Sequence, residues 1–231
     1  MTSRFLSPGT RIKLVIFDMA GTTVNEGGII YDAIYKILHN MGYNPNESDK
    51  ESWYGKDKRE ALRKCIEKKH RSKVDIDILT DVAEKNLTTE LENMYFKKNN
   101  LSLMPDTINV INELKFNNIK VALNTGYPKN IQEKMLDHLN LRSNIDAYIS
   151  SDQVRVGRPF PYMVYNLMEQ CNVYNPKQVA KVGDTKNDVL EGVNANLGLA
   201  IGVLSGAGKV EDFSGHANFI VKDISCVPDL L

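Results

Sequence analysis

Short apolar runs recur along the chain, each closed by a loop that contains glycine or small polar residues. They cover Lys13–Phe17, Ile119–Leu123, Val179–Val182, Ala200–Val203 and Phe219–Val221. Runs this short, rich in β-branched residues and without polar alternation, read as strands covered on both faces. Between them the apolar positions switch to helical spacing, predicting helices over Asp106–Asn117, Asn130–Leu139, Pro161–Gln170 and Asp188–Ala195. Strands that alternate with helices imply βαβ units, so the expected fold class is α/β, a doubly wound parallel sheet.

The stretch from about residue 25 to 100 has no such runs. "IIYDAIYKILHNMG" is an amphipathic helix ending at Gly42, and "KREALRKCIEKKH" is a second, with Glu60 and Lys64 one turn apart. "DIDILTDVAEKNLTTELENMYFKK" supplies one or two more. A helical insertion after the first strand, returning near Leu103, is therefore expected. The implied division is a core of residues 1–24 and 101–231 around a helical unit of residues 25–100. No repeat or low-complexity linker interrupts it.

Charge narrows the function classes. Lys plus Arg and Asp plus Glu are both 29 of 231 residues, a formal net charge of zero. A general attraction to nucleic acid or to an anionic membrane is not expected, so any anion site must be local. No apolar run reaches membrane-spanning length and the first residues lack a signal-peptide core, which points to the cytoplasm. Cys65, Cys171 and Cys226 are too scattered for a zinc site or a disulfide framework and read as thiols in a reducing compartment.

Ligands of such sheets bind beyond the carboxyl ends of the strands. Asp18 sits at such an end in "IFDMAGTTV", where a carboxylate can attack phosphorus and the N–H groups of "MAGTT" can hold an oxyanion. Thr125 in "NTGYP" offers a hydroxyl to a phosphate oxygen, and Arg158 or Arg155 in "VRVGRPFPYM" offers a fixed cation. Asp184 and Asp188 in "KVGDTKNDVLEG", with Asp18, make an oxygen-rich set suited to Mg²⁺. The same residues also fit plainer roles: a turn aspartate, a threonine N-cap, a surface arginine and an acid favouring a helix dipole.

This order of motifs resembles the haloacid dehalogenase superfamily across nearly the whole chain. Most members read Asp-x-Asp at the first motif, where this chain reads Asp18-Met19-Ala20, and most carry a lysine where "GRPFP" offers Arg158. With "TGYP" and "KVGDTKNDVLEG", these departures are similar to the phosphonoacetaldehyde hydrolase (phosphonatase) branch. The resemblance implies a Rossmann-like core with an α-helical cap, Asp18 as nucleophile, and Mg²⁺ held by Asp18, the Ala20 carbonyl, Asp184 and Asp188. It places Thr125 and Arg158 on the phosphoryl oxygens, and Thr22, Gly126, Tyr127 and Tyr54 about the substrate.

The missing acid then has a meaning. A phosphate ester leaves as an alkoxide that needs a proton, whereas C–P cleavage leaves a carbanion that needs an electron sink. The branch supplies that sink as a Schiff base on a cap lysine in Gly-x-x-Lys, matched here by Gly55 and Lys58 in "WYGKDKREAL". The surrounding Lys56, Arg59, Arg63 and Lys64 equally describe a solvated helix face. Other cap positions depart: Tyr54 stands for Met, Ala61 for His and Gly28 for Cys. The expected activity is C–P cleavage of a small 2-oxoalkylphosphonate. A phosphatase for a small phosphate monoester and a non-catalytic binding module are the alternatives. The resemblance also suggests a homodimer through the cap, for which the apolar positions of "IIYDAIYKIL" offer a face.

Overall fold

A computed structural model describes residues 11–231. The chain enters the sheet as β1 (Leu14–Asp18) and turns into a short strand β2 (Val24–Asn25). Helices α1 (Ile29–Asn40), α2 (Glu47–Ser52), α3 (Lys58–Glu67) and α4 (Lys73–Glu92) follow, α4 running into a π-helical turn over Asn93–Lys97. β3 (Ser102–Leu103) pairs antiparallel with β2, so the two ends of the helical segment are tied side by side. The chain then alternates: α5 (Thr107–Phe116), β4 (Lys120–Thr125), α6 (Lys129–His138), β5 (Ala147–Ser150), α7 (Tyr162–Gln170), β6 (Val179–Gly183) and α8 (Lys186–Asn194). β7 (Leu199–Val203), α9 (Val210–Phe213) and β8 (Phe219–Val221) complete it.

Six strands form one sheet in the order β5-β4-β1-β6-β7-β8, and every pairing is parallel. β1 is central because all five of its residues are buried. Its side chains alternate between the two layers. Val15 and Phe17 join the cluster with Val121, Leu123, Ile131 and Leu114, while Leu14 and Ile16 meet Met163, Val164 and Leu167 of α7. Register places Asp18 beside Asn124, and Phe17 beside Leu123 and Val182. Asp18, Thr125 and Asp184 therefore leave the sheet at the same edge, where ligands of such sheets bind.

The five expected strands are present within two residues of their predicted ends. β5 was not expected, because its four residues "AYIS" carry too little pattern beside a polar loop. α2 was not expected either: "ESDKES" buries no residue and is held by a capping box in which Asn46 and Asp49 exchange hydrogen bonds. The apolar positions of α1 proposed for a dimer face, Ile30, Ile34, Ile37 and Leu38, are spent inside the chain, where α1 packs on α3 and α4. No helix among the described residues is long and apolar enough to cross a membrane.

Candidate active site

Asp18 ends β1 and is buried, with Arg158 Nη2 2.8 Å from its Oδ1. The following turn is closed on itself. The N–H groups of Thr22 and Thr23 donate to the Met19 carbonyl and that of Gly21 to the Val24 carbonyl. These three N–H groups of "MAGTT" are thus committed inside the turn, contrary to the oxyanion role expected of them. Gly21 has φ +79°, and a Cβ there would lie 2.6 Å from Asp184 Oδ2, so the turn needs glycine both for its backbone and for the carboxylate beside it. The Thr22 hydroxyl is fully buried and donates to Asp184 Oδ1 at 3.3 Å, so it orients that acid instead of facing a ligand.

Asp184 follows β6, and its Oδ2 accepts the Ala207 N–H at 2.8 Å. Asp188 lies in the first turn of α8. Its Oδ1 accepts from Arg158 Nη1 and from Lys181 Nζ at 2.8 Å, and its Oδ2 from the Thr185 hydroxyl. Arg155 is exposed while Arg158 is 3% exposed, which settles which arginine reaches the acids. Thr125 is buried at the end of β4 and accepts the Tyr127 N–H. It is not a helix cap, since Pro128 holds that position before α6.

Asp18, Asp184 and Asp188 bring carboxylate oxygens within 4.8 Å of one another. Burial, then the charges of Asp18 and Asp188, push the Asp184 carboxyl up to about 8. Burial and Asp188 raise Asp18 against the pull of Arg158. Burial would raise Asp188 too, but Arg158 and Lys181 outweigh it and hold that carboxyl below its ordinary value. The carboxyls short of counter-charge are therefore Asp184 and Asp18. A hard divalent cation fits this donor set: no cation among the described residues pairs with Asp184, Asp18 meets Arg158 through Oδ1 alone, and Asp188 is already held by two cations.

Lys181 was not singled out in the sequence. It lies in the middle of β6 with no exposure, its Nζ 2.8 Å from Asp188 and 3.9 Å from Glu191. Glu191 accepts from Asn124 Nδ2 at 2.8 Å, and burial foremost raises its carboxyl to about 7. Removing Lys181 leaves buried Glu191 without its cation and Asp188 with Arg158 alone. Lys181→Met is expected to lower unfolding free energy by about 3 kcal/mol or more, read from denaturant titration. A loss below about 1 kcal/mol would count against this role.

Lys58 opens α3 and is 5% exposed. Its neighbours do form the solvated face: Arg59 pairs with Asp81 and Glu84, Arg63 with Asp77 and Glu67, and Lys64 with Glu60. Lys58 alone turns inward, with Nζ 5.2 Å from the Tyr31 ring centre and 5.5 Å from that of Tyr127. Burial first, and then the Arg158 charge, lower its ammonium pKa. The cause is enclosure and a neighbouring guanidinium, not the helix terminus alone.

The loop before Lys58 is fastened to the sheet edge. Lys58 N–H donates to the Gly126 carbonyl at 3.2 Å, Asn187 Nδ2 to the Tyr54 carbonyl at 2.7 Å, and the Ser151 hydroxyl to Asp57. A side chain at Gly126 would overlap the Lys56 carbonyl, and one at Gly55, which has φ +68°, would overlap Thr185. Gly126 therefore permits close approach of two backbones. Gly126→Ala is expected to hold the loop off and lower turnover by about 100-fold, since catalytic groups displaced by an ångström cost that much. Turnover within threefold of wild type would show that the loop accommodates the methyl group.

Tyr127 is buried, with its hydroxyl 2.7 Å from that of Tyr95, which donates to Glu26 at 3.0 Å. Tyr54 is half-buried, and its ring meets Tyr31 edge-on at 4.7 Å. A cavity of about 570 Å³ opens between the helical segment and the sheet edge, lined by Ala20, Asp184, Glu26, Tyr31 and Tyr54 among others. Asp18, Lys58 and Arg158 are not on its wall; Tyr31 is, and it also carries the Lys58 ammonium on its ring. Sequence reasoning missed Tyr31, Glu26 and Tyr95.

A parallel sheet that gathers Asp18, Thr125, Arg158 and two further aspartates at one edge defines a class, and sequence comparison agrees. Residues 15–201 match the haloacid dehalogenase-like hydrolase family, and the chain is a hydrolase belonging to that family. Among curated relatives it is 28% identical, over 87% of its length, to the phosphonoacetaldehyde hydrolase of Bacillus cereus (strain G9842), covering 78% of that protein. It is also 28% identical to a bifunctional phosphonoacetaldehyde hydrolase/aminoethylphosphonate transaminase of Clostridioides difficile (strain 630), of which it spans only 33%. Its fold is similar to that of a phosphonoacetaldehyde hydrolase-like protein from Oleispira antarctica, with a TM-score of 0.79, 19% identity, and coverage of 100% of this chain and 96% of the other.

Proposed function

We propose that this hydrolase cleaves the C–P bond of a small 2-oxoalkylphosphonate, with residues 25–100 acting as a cap over the core. The observation that carries the reading is Lys58, the one member of a charged helix face that turns inward, buried between two aromatic rings with its ammonium pKa lowered. An amine that must attack a carbonyl has to be neutral, and enclosure favours that form.

Lys58 Nζ adds to the substrate carbonyl carbon, and loss of water gives an iminium. Asp18 attacks phosphorus. The electrons of the C–P bond pass into the iminium, giving an enamine, so no acid is needed at Ala20. Arg158, fixed by Asp188, and Thr125 hold the phosphoryl oxygens. Water cleaves the aspartyl-phosphate; protonation and hydrolysis of the enamine return Lys58. Asp18, Asp184 and the Ala20 carbonyl would hold Mg²⁺, which would supply charge neutralisation at the phosphoryl group.

A second reading, a phosphatase for a small phosphate monoester, is favoured by Tyr54, Ala61 and Gly28, which depart from the phosphonatase pattern. Borohydride added during turnover of 2-oxoethylphosphonate separates the two. The imine reading expects irreversible inactivation and a reduced adduct mapped to Lys58. Phosphate release without any adduct would reject it.

A further inference from the structure

Four tyrosines lie around Lys58 or the cavity beside it, and their hydroxyls are not equivalent. Those of Tyr127 and Tyr95 are bonded to each other and, through Tyr95, to Glu26. Tyr54 lies among the rim charges of Lys50, Glu47, Glu51 and Asp32. Tyr31 is different. It lies on the cavity wall with Ala20 and Asp184, its ring is 5.2 Å from Lys58 Nζ, and its hydroxyl lies within the fields of Asp184, Glu26 and Asp18. Its ring meets that of Tyr54 edge-on at 4.7 Å. The Tyr31 phenol proton is not committed to any acceptor among the described residues.

The loop that places Lys58 also holds Tyr31, because Tyr54, whose ring packs on Tyr31, lies four residues ahead of the lysine. We infer that Tyr31 is a further catalytic residue, whose hydroxyl donates to the carbonyl oxygen of the substrate as Lys58 adds to the carbon. This inference rests on the imine reading above. As the Nζ lone pair forms the C–N bond, the carbonyl π electrons move to oxygen, which takes the phenol proton. The phenolate then takes a proton from the new ammonium, leaving a neutral carbinolamine and restoring Tyr31. Enclosure keeps the phenol protonated between turnovers, since burial foremost raises its pKa well above the ordinary tyrosine value.

Tyr31→Phe keeps the ring against Lys58 and removes only the hydroxyl. The test is the rate of borohydride-trapped adduct formation at Lys58 with 2-oxoethylphosphonate, in wild type, Tyr31→Phe and Tyr35→Phe, the last an exposed tyrosine one turn along the same helix. General acid help of this kind is worth at least about 100-fold, so Tyr31→Phe should be slower by that factor and Tyr35→Phe within threefold of wild type. Competitive inhibition by inorganic phosphate should be unchanged in all three. A Tyr31→Phe rate within threefold of wild type would overturn the inference and leave the imine reading standing. So would slowing accompanied by weaker phosphate inhibition, which would mark a disturbed pocket. No adduct in wild type would instead remove the imine reading, and this inference with it.

Discussion

Asp18→Asn is expected to abolish phosphate release, by about four orders of magnitude or more, from phosphonates and phosphate esters alike. Both readings of the chemistry pass through an aspartyl-phosphate on this residue. An amide of the same shape cannot attack phosphorus, and loss of a covalent nucleophile costs on that order. The structure adds a second expectation that separates catalysis from folding. Asp18 is buried beside Asp184 and Asp188, and the repulsion among the three contributes to the raised pKa values of Asp18 and Asp184. Removing one negative charge relieves that repulsion. Arg158, which loses Asp18 Oδ1 at 2.8 Å, keeps Asp188 as its partner. Without added metal the variant should therefore melt no lower than wild type. With Mg²⁺ it should gain less stability than wild type, because an acidic donor of the proposed metal site is gone and stabilisation follows affinity. Phosphate release at saturating Mg²⁺ and melting curves with and without the ion check both parts. Residual turnover above about 1% of wild type would deny Asp18 the nucleophile's place.

What the sequence shows of this fold follows from how each element is stabilised. β1, β4, β6 and β7 are buried on both faces, so their composition is nearly uniform and announces them. β5 is short and at the edge of the sheet, and most of its order comes from pairing with β4, which a local pattern does not reveal. α2 is held by its cap with no buried residue, so periodicity has nothing to report. The motifs at strand ends were legible because backbone topology alone brings Asp18, Thr125 and Asp184 to one edge.

The rest of the site depends on packing between distant segments. Lys181 reads as a misplaced charge in an apolar strand until Asp188 and Glu191 are seen beside it. Thr22 reads as a ligand until its hydroxyl is found on Asp184. Tyr31 belongs to a helix whose spacing says only that it is amphipathic. Its approach to Lys58 depends on a glycine loop closing onto the sheet edge, through Gly55 and Gly126. Spacing along the chain carries no information about such a contact.

Lys58→Met is expected to remove C–P cleavage by more than about 1,000-fold while leaving the phosphoryl site intact. Methionine keeps the length and apolar stem of the side chain between the Tyr31 and Tyr127 rings, so packing is preserved while the amine is lost. Without an iminium the electrons of the breaking bond have no acceptor, and Asp18 alone does not supply one. Arg158, Asp188 and Lys181 form a buried set of ion pairs, and inorganic phosphate should still inhibit with wild-type affinity or better. Folding should not suffer, because the ammonium is buried with its pKa lowered, so its charged form is disfavoured in the native protein. The sign of that shift also sets the pH dependence. The neutral amine is available at lower pH than for a free lysine, so the acid limb of adduct formation in wild type should lie below the ordinary lysine value of 10.5. Phosphonate turnover, phosphate inhibition and melting temperature in the variant, with the pH profile in wild type, make the comparison. A Lys58→Met enzyme that still released phosphate from 2-oxoethylphosphonate at one tenth of the wild-type rate would leave the buried amine without a chemical role and return the site to simple ester hydrolysis.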